Sequence, residues 1–198
     1  MMSKFIDPYK QENGTLKNKL EITDCEVLGQ REHEIVTLNV LDYLIGAKKL
    51  TVRDLYQVSS YKKIHELLFN EIYDWAGMFR TVEIAKGESQ FLSCTRFDYA
   101  ENDLNKKLIA LKNATIKSVD DLAKHLGPIV SDINYMHPFR EGNGRSHRLF
   151  ISLICKDKGY EWNLSNKKQK YNSYFQANVH DDYEEMIEAM KETLVKNQ

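Results

Sequence analysis

The stretch His137-Pro138-Phe139-Arg140-Glu141-Gly142-Asn143-Gly144-Arg145-Ser146-His147-Arg148 decides how this chain reads. Leading into it, Leu122, Leu126, Ile129, Val130 and Ile133 keep helical spacing and predict a helix over Val119–Met136. Leaving it, Leu149-Phe150-Ile151-Ser152-Leu153-Ile154 continues a helix predicted to start near Gly144. The stretch is therefore a loop gripped at both ends by apolar helices. The second helix is apolar on most sides, which predicts a position at the centre of a bundle.

Working outward, Val27, Leu28, Ile35, Leu38, Val40, Leu41 and Leu44 predict one helix over residues 25–45. Leu55, Val58, Ile64, Leu67, Leu68, Ile72 and Trp75 predict a second over 52–74. The texture changes at Gly77. Thr81-Val82-Glu83-Ile84 alternates, Lys86-Gly87-Glu88 turns and Gln90-Phe91-Leu92 follows, which predicts a β-hairpin within 77–93. Helical spacing returns over 99–111, and the last helices are expected over 168–178 and 181–195. Residues 1–24, polar and turn-rich around Asn13-Gly14, form an irregular lead-in. The expected fold is mainly α with one β-hairpin, a single domain over 1–198.

Bulk properties narrow the function classes. A chain of 198 residues with 42% hydrophobic and 29% charged residues fits one soluble domain. A formal net charge of −1 gives no field favouring nucleic acid or an anionic membrane. No apolar run approaches a membrane span, and the N-terminus lacks a signal-peptide core. Cys25, Cys94 and Cys155 have no metal-ligand spacing and read as reduced core thiols of a cytoplasmic protein. His33, His65, His125 and His180 share no ligand spacing either. Trp75 and Trp162 read as core, and His147 as a partly exposed helix residue. The run Asp181-Asp182-Tyr183-Glu184-Glu185 suits a helix N-terminus.

The chemistry concentrates in 137–148. Gly142, Asn143 and Gly144 let the backbone approach a ligand, and the helix that follows aims its free N–H groups at the same place. Arg145 and Arg148, three apart, share one face of its first turn. Two arginines at a helix N-terminus are unfavourable unless an anion neutralises them, and their planar forks suit phosphate oxygens. Glu141 beside a phosphate requires a divalent cation between them. His137 titrates near neutrality and can take a proton from an attacking hydroxyl. Taken singly, a His-Pro is a turn, a Gly-Asn-Gly a loop and two arginines a solvated face. Within twelve residues, together, they suit displacement at a nucleotide phosphate.

This stretch resembles the motif of the Fic family, His-Pro-Phe-x-(Asp/Glu)-Gly-Asn-Gly-Arg-x-x-Arg, at every specified position. Gly14-Thr15-Leu16-Lys17-Asn18-Lys19-Leu20 resembles the family's entry segment, and Leu68 to Gly77 with Arg80-Thr81-Val82 its approach to the flap. Tyr171 through Ala177-Asn178 to Asp181 resembles the helix pair that closes its nucleotide pocket. The resemblance implies a Fic-type helical bundle with a hairpin flap, and an enzyme that transfers AMP from ATP to a Ser, Thr or Tyr hydroxyl of a target protein. It implies that His137 is the base and that Glu141 holds Mg²⁺ on the α- and β-phosphates. Gly142, Asn143 and Gly144 would cradle those phosphates, Arg145 would stabilise the leaving pyrophosphate, and Arg148 would read the γ-phosphate. Pro138 and Phe139 would fix the loop to the core. Lys86, Gly87, Glu88 and Ser89 would form the flap over the nucleotide, along which the target adds a strand, and Tyr171 and Asn178 would lie near the adenine.

Two other classes stand beside this reading. Doc-like relatives move phosphate but replace the second glycine with lysine, whereas Gly144 and Arg145 are present here. A silent binding module commonly loses the base or the carboxylate, whereas His137 and Glu141 are intact. Many relatives also carry an inhibitory helix of pattern (Ser/Thr)-x-x-x-Glu-(Gly/Asn), and no Ser or Thr of this chain has Glu four residues later. The nearest match, Pro8-Tyr9-Lys10-Gln11-Glu12-Asn13, begins with proline, and the final helix is expected to stop near Val195. The expectation is a constitutively competent protein or one restrained by a separate antitoxin-like chain, with a degenerate inhibitor built on Glu12 as the alternative.

Overall fold

The computed structural model describes residues 7–86, 89–164, 168–180 and 182–197. Seven helices are present among them: α1 (Cys25–Leu44), α2 (Val58–Phe69), α3 (Phe97–Asn113), α4 (Val119–Met136), α5 (Asn143–Asp157), α6 (Lys168–His180) and α7 (Tyr183–Thr193). A short ribbon pairs β1 (Ala85–Lys86) with β2 (Ser89–Gln90), and a second pairs β3 (Tyr160–Trp162) with β4 (Leu194–Lys196), both antiparallel. The mainly-α reading with a hairpin between the second and third helices holds.

Helix α4 is the hub, packing against α3, α5, α6 and α7. Ser118 caps it by accepting from the Asp121 N–H at 3.1 Å. Its glycine has a packing reason: a Cβ on Gly127 would lie 2.5 Å from Ile187 Cγ1 and 3.0 Å from the Ile187 backbone nitrogen. Only a bare backbone lets α7 come this close. Helix α5, expected at the centre, instead buries Phe150, Ile151, Ile154 and Cys155 and leaves Leu149, Ser152 and Leu153 half-buried.

Four other departures from the expected pattern occur. The second helix is shorter than its apolar spacing because both flanks find other hydrogen bonds. Asn105 Oδ1 accepts the Val58 N–H at 2.8 Å, and past Phe69 the Ile72 N–H turns to the Phe69 carbonyl at 2.9 Å, a tighter i→i−3 bond. On α1 the apolar residues Val27, Leu38, Leu41 and Leu44 are exposed, while Leu28, Glu32, Val36 and Asn39 form the buried face. The final helix stops at Thr193, and Leu194–Lys196 turns into β4. Of the three free thiols only Cys155 is core; Cys25 is exposed and Cys94 half-buried.

Candidate active site

The loop between α4 and α5 is built from inside. Phe139 is fully buried and stacks on His65, with ring centres 3.8 Å apart. Asn143 closes the loop on itself: its Oδ1 accepts the Phe139 N–H at 2.8 Å and its Nδ2 donates to the Phe139 carbonyl at 2.6 Å. The Asn143 side chain is thus engaged in shaping the loop, and what it can offer a ligand is its backbone N–H. Arg140, at the motif's variable position, pairs with Asp7 at 2.8 Å and ties the lead-in to the loop.

His137 ends α4 in the left-handed region, with φ of 42° and its N–H on the Ile133 carbonyl at 3.1 Å. Its Nδ1 lies 3.3 Å from the Asn134 carbonyl. A carbonyl only accepts, so Nδ1 carries the proton in that bond and Nε2 carries the lone pair. The ring stacks on Phe91, just past β2, at 3.8 Å between centres and 12° between planes. The turn beneath is held by Arg80, whose side chain is wholly buried. Its Nε donates to the His137 carbonyl at 2.9 Å, Nη1 to Val82 at 2.6 Å, and Nη2 to Leu92 at 2.6 Å and Met136 at 3.4 Å. One guanidinium therefore joins both legs of the hairpin region to the base.

Across the loop, α5 opens at Gly142 with φ of 81°. A Cβ there would lie 2.3 Å from Phe69 Cζ, so the loop and α2 meet only because the residue is glycine. Gly144 is exposed, with room beside the Arg148 guanidinium. Arg148 is exposed and has no ion pair among the described residues. Glu141 turns one oxygen back, Oε1, onto the Gly142 N–H at 2.8 Å and Arg145 Nη2 at 3.2 Å, while Oε2 has no hydrogen bond among the described residues. Arg145 Nη2 also reaches Glu32 of α1 at 2.5 Å, and its guanidinium lies 4.9 Å from the Phe69 ring centre. First-turn N–H groups, two arginines and one half-exposed carboxylate thus share one helix end, an arrangement that can hold a polyphosphate. One free carboxylate oxygen beside it fits a divalent cation completed by phosphate oxygens. No group of three metal-ligating side chains exists among the described residues.

Two buried histidines flank the loop. His65 accepts the Gly77 N–H at Nδ1 (2.9 Å) and so donates from Nε2 to the Glu141 carbonyl (2.9 Å). Burial, with the nearby Arg145 charge, outweighs that bond and holds its pKa down at about 4. His147, expected to be partly exposed, is buried; burial and then Arg148 lower its pKa to about 3, and its Nε2 has no hydrogen bond among the described residues. Both are neutral when folded, whereas an unfolded histidine takes a proton near pH ~6.5. Stability is therefore complete above that pH and falls as the pH drops toward 4. His65 alone accounts for a loss on the order of 3 kcal/mol across this window. Urea midpoints measured from about pH 7.5 down to about 4.5 should drop, and His65→Gln should flatten the slope. A level profile would refute neutral burial.

The expected site residues divide into three groups. His137, Glu141, Gly142, Asn143, Gly144, Arg145 and Arg148 come together as described. Lys86 and Ser89 pair within the β1–β2 ribbon, but their side chains, and all of Gly87 and Glu88, lie outside the described residues. Tyr171 and Asn178 fall on α6, with side chains likewise outside the described residues. The hairpin's strands start at Ala85, not in the alternating stretch 81–84, because Arg80 takes up the Val82 carbonyl. Pro8 to Asn13 forms turns and a bridge from Lys10 to Leu16 with Glu12 exposed, so the degenerate inhibitory helix is not formed. The sequence reading missed Glu32, His65, Arg80 and Phe91. Arg80 carried a signal, a lone arginine between Phe79 and Thr81-Val82, but nothing in the spacing tied it to residue 137.

No described helix is long and apolar enough to cross a membrane. The chain is 30% identical over 162 residues to the probable protein adenylyltransferase Fic of Salmonella typhimurium, covering 78% of this chain and 74% of that protein. It is 28% identical over 166 residues to the protein adenylyltransferase VbhT of Bartonella schoenbuchensis, covering 82% of this chain but only 34% of VbhT. The chain thus spans about a third of that relative's length. Its fold is similar to the N-terminal Fic domain of a cell filamentation protein from Bartonella quintana, crystallised with bound ADP. There the TM-score is 0.81 at 22% identity, over 96% of this chain and 95% of that one. BepC of Bartonella tribocorum, crystallised with AMPPNP, gives 0.78 at 20% identity over 96% of each chain. Residues 56–155 match the Fic/DOC family, from the end of the segment before α2 to the last turn of α5. With the motif intact on the loop those helices grip, the chain belongs to the Fic/DOC family.

Proposed function

We propose that this protein is a protein adenylyltransferase, moving AMP from ATP to a Ser, Thr or Tyr hydroxyl of a target protein. The observation that carries this reading is the pairing of a tautomer-fixed His137 with the arginine-lined N-terminus of α5 on one rigid loop. His137 Nε2 takes the proton of the incoming hydroxyl, and the hydroxyl oxygen bonds to the α-phosphorus. The bond from that phosphorus to the bridging oxygen breaks, and pyrophosphate leaves. The N–H groups of the α5 first turn and Arg145 hold the departing charge, and Arg148 orients the γ-phosphate. Glu141 would hold Mg²⁺, which when bound neutralises charge between the carboxylate and the α- and β-phosphates. The ribbon around Lys86 to Ser89 suits strand addition by the target, and Tyr171 and Asn178 are assigned to the adenine side. The free thiols suit a reducing compartment such as the cytoplasm. Restraint by a separate antitoxin-like chain that supplies a glutamate to Arg148 fits the exposure of that arginine.

Incubation of a cell lysate with the protein and ATP labelled at the α-phosphate should label target proteins. Label arriving from the γ-phosphate would instead indicate phosphate transfer, and none from either would leave a binding module. Arg148→Ala should weaken ATP binding by about 1.5–3 kcal/mol, with ADP binding little changed. Calorimetry giving equal losses for the two nucleotides would remove Arg148 from the γ-phosphate.

A further inference from the structure

Arg145, in the first turn of α5, is held from a helix more than a hundred residues earlier in the chain. Glu32 lies on the buried face of α1, its side chain 8% exposed. Its Oε1 accepts from Arg145 Nη2 at 2.5 Å, and its Oε2 accepts from the Tyr73 hydroxyl. Tyr73 is itself buried and stacks on Trp75 at 4.2 Å between ring centres. The pair is therefore part of a packed wall, and burial with two bonds restricts Glu32 from following a moving arginine. Nη2 is the single nitrogen of Arg145 with partners among the described residues, bonding both Glu32 and Glu141. The Nη1 and Nε N–H groups have no bond among the described residues, and each is left as a separate donor to another anion.

We infer that Glu32, backed by the Tyr73 hydroxyl, is a positioning residue that fixes Arg145 for the β-phosphate side of the nucleotide. The physical ground is that arginine has a long stem with about 2 kcal/mol of rotamer entropy, which a ligand must otherwise remove on binding. A carboxylate bonded to Nη2 removes it in advance and leaves the Nη1 and Nε N–H groups for the phosphates. A buried ion pair adds little net stability, so its value here is orientation. The inference rests on the nucleotide reading of the site but not on AMP transfer.

The test is calorimetric titration of the full chain with ATP and, separately, AMP, which lacks the phosphates assigned to Arg145. Glu32→Ala should weaken ATP binding by on the order of tenfold or more. AMP binding should change less than about threefold, which also verifies that the variant is folded. In an Arg145→Ala background the same change should add less than about threefold to the ATP loss, because the two residues act as one. Glu32→Gln, which keeps an acceptor for Arg145 and a partner for Tyr73, should stay near wild type. Equal losses of ATP and AMP, or full additivity with Arg145→Ala, would reduce Glu32 to a stability residue and overturn the inference. Tighter ATP binding in Glu32→Gln would overturn it too, since the carboxylate would then compete with phosphate for the arginine. A wild-type protein that binds ATP with this pattern yet transfers no AMP would refute the adenylyltransferase reading and leave the positioning role standing.

Discussion

His137→Ala is expected to lower AMP transfer by on the order of a hundredfold to ten-thousandfold, the range lost with a general base. The fold should survive. The residue caps α4 with φ of 42°, a conformation that histidine and asparagine tolerate better than most side chains. His137→Asn therefore separates the two roles, keeping the backbone cap while removing the basic nitrogen. ATP affinity should be unchanged in both variants, because the ring stacks on Phe91 and its proposed partner is the incoming hydroxyl, not the phosphates. Transfer at wild-type rate by either folded variant would remove His137 from the mechanism.

Gly142→Ala should damage stability as well as activity. The added methyl would meet Phe69 carbons at 2.3, 2.5 and 3.0 Å, and Phe69 is fully buried. Overpacking of this kind costs about 1–3 kcal/mol, and an alanine held at positive φ adds about 1–2 kcal/mol. A melting temperature lower by on the order of 10 °C follows for a chain of this size. Phe69→Leu in the same chain should restore part of the loss by opening space, but not the part due to φ. Gly144→Ala is the contrast, since its methyl meets nothing closer than 3.5 Å. It should melt like wild type, and any loss of nucleotide binding there reports close approach of the ligand. Equal melting of the Gly142 and Gly144 variants would contradict the packing.

The two glycines show how far the sequence could be read. Both were legible as places where backbone must be bare, but the reasons differ, and the one at Gly142 depends on Phe69, which no local pattern connects to it. Helix α4 was legible end to end because its apolar spacing runs unbroken from Leu122 to Ile133. Helix α1 was legible in extent but not in orientation. Its buried face carries Glu32 and Asn39, whose partners are Arg145 and Tyr73 for one and the Leu68 carbonyl and Lys48 for the other. Polar residues buried by pairing look like solvent-facing ones in a hydropathy pattern, so the leucines on the far side misdirect the reading. The same blindness hid Arg80, whose hydrogen-bond acceptors near His137 are backbone carbonyls and leave no trace in side-chain spacing; its one carboxylate partner is Glu83, at 3.5 Å.

That arginine also bears on how the protein comes together. Its four acceptors lie on the segments at Val82, Leu92 and 136–137, the last more than fifty residues downstream. A guanidinium cannot enter such a socket until all three segments have converged, and until then it keeps its hydration shell. The hairpin and the turn at His137 therefore cannot take their final shapes independently of one another. Whatever disturbs the hairpin at this socket is thereby passed to the backbone that carries His137.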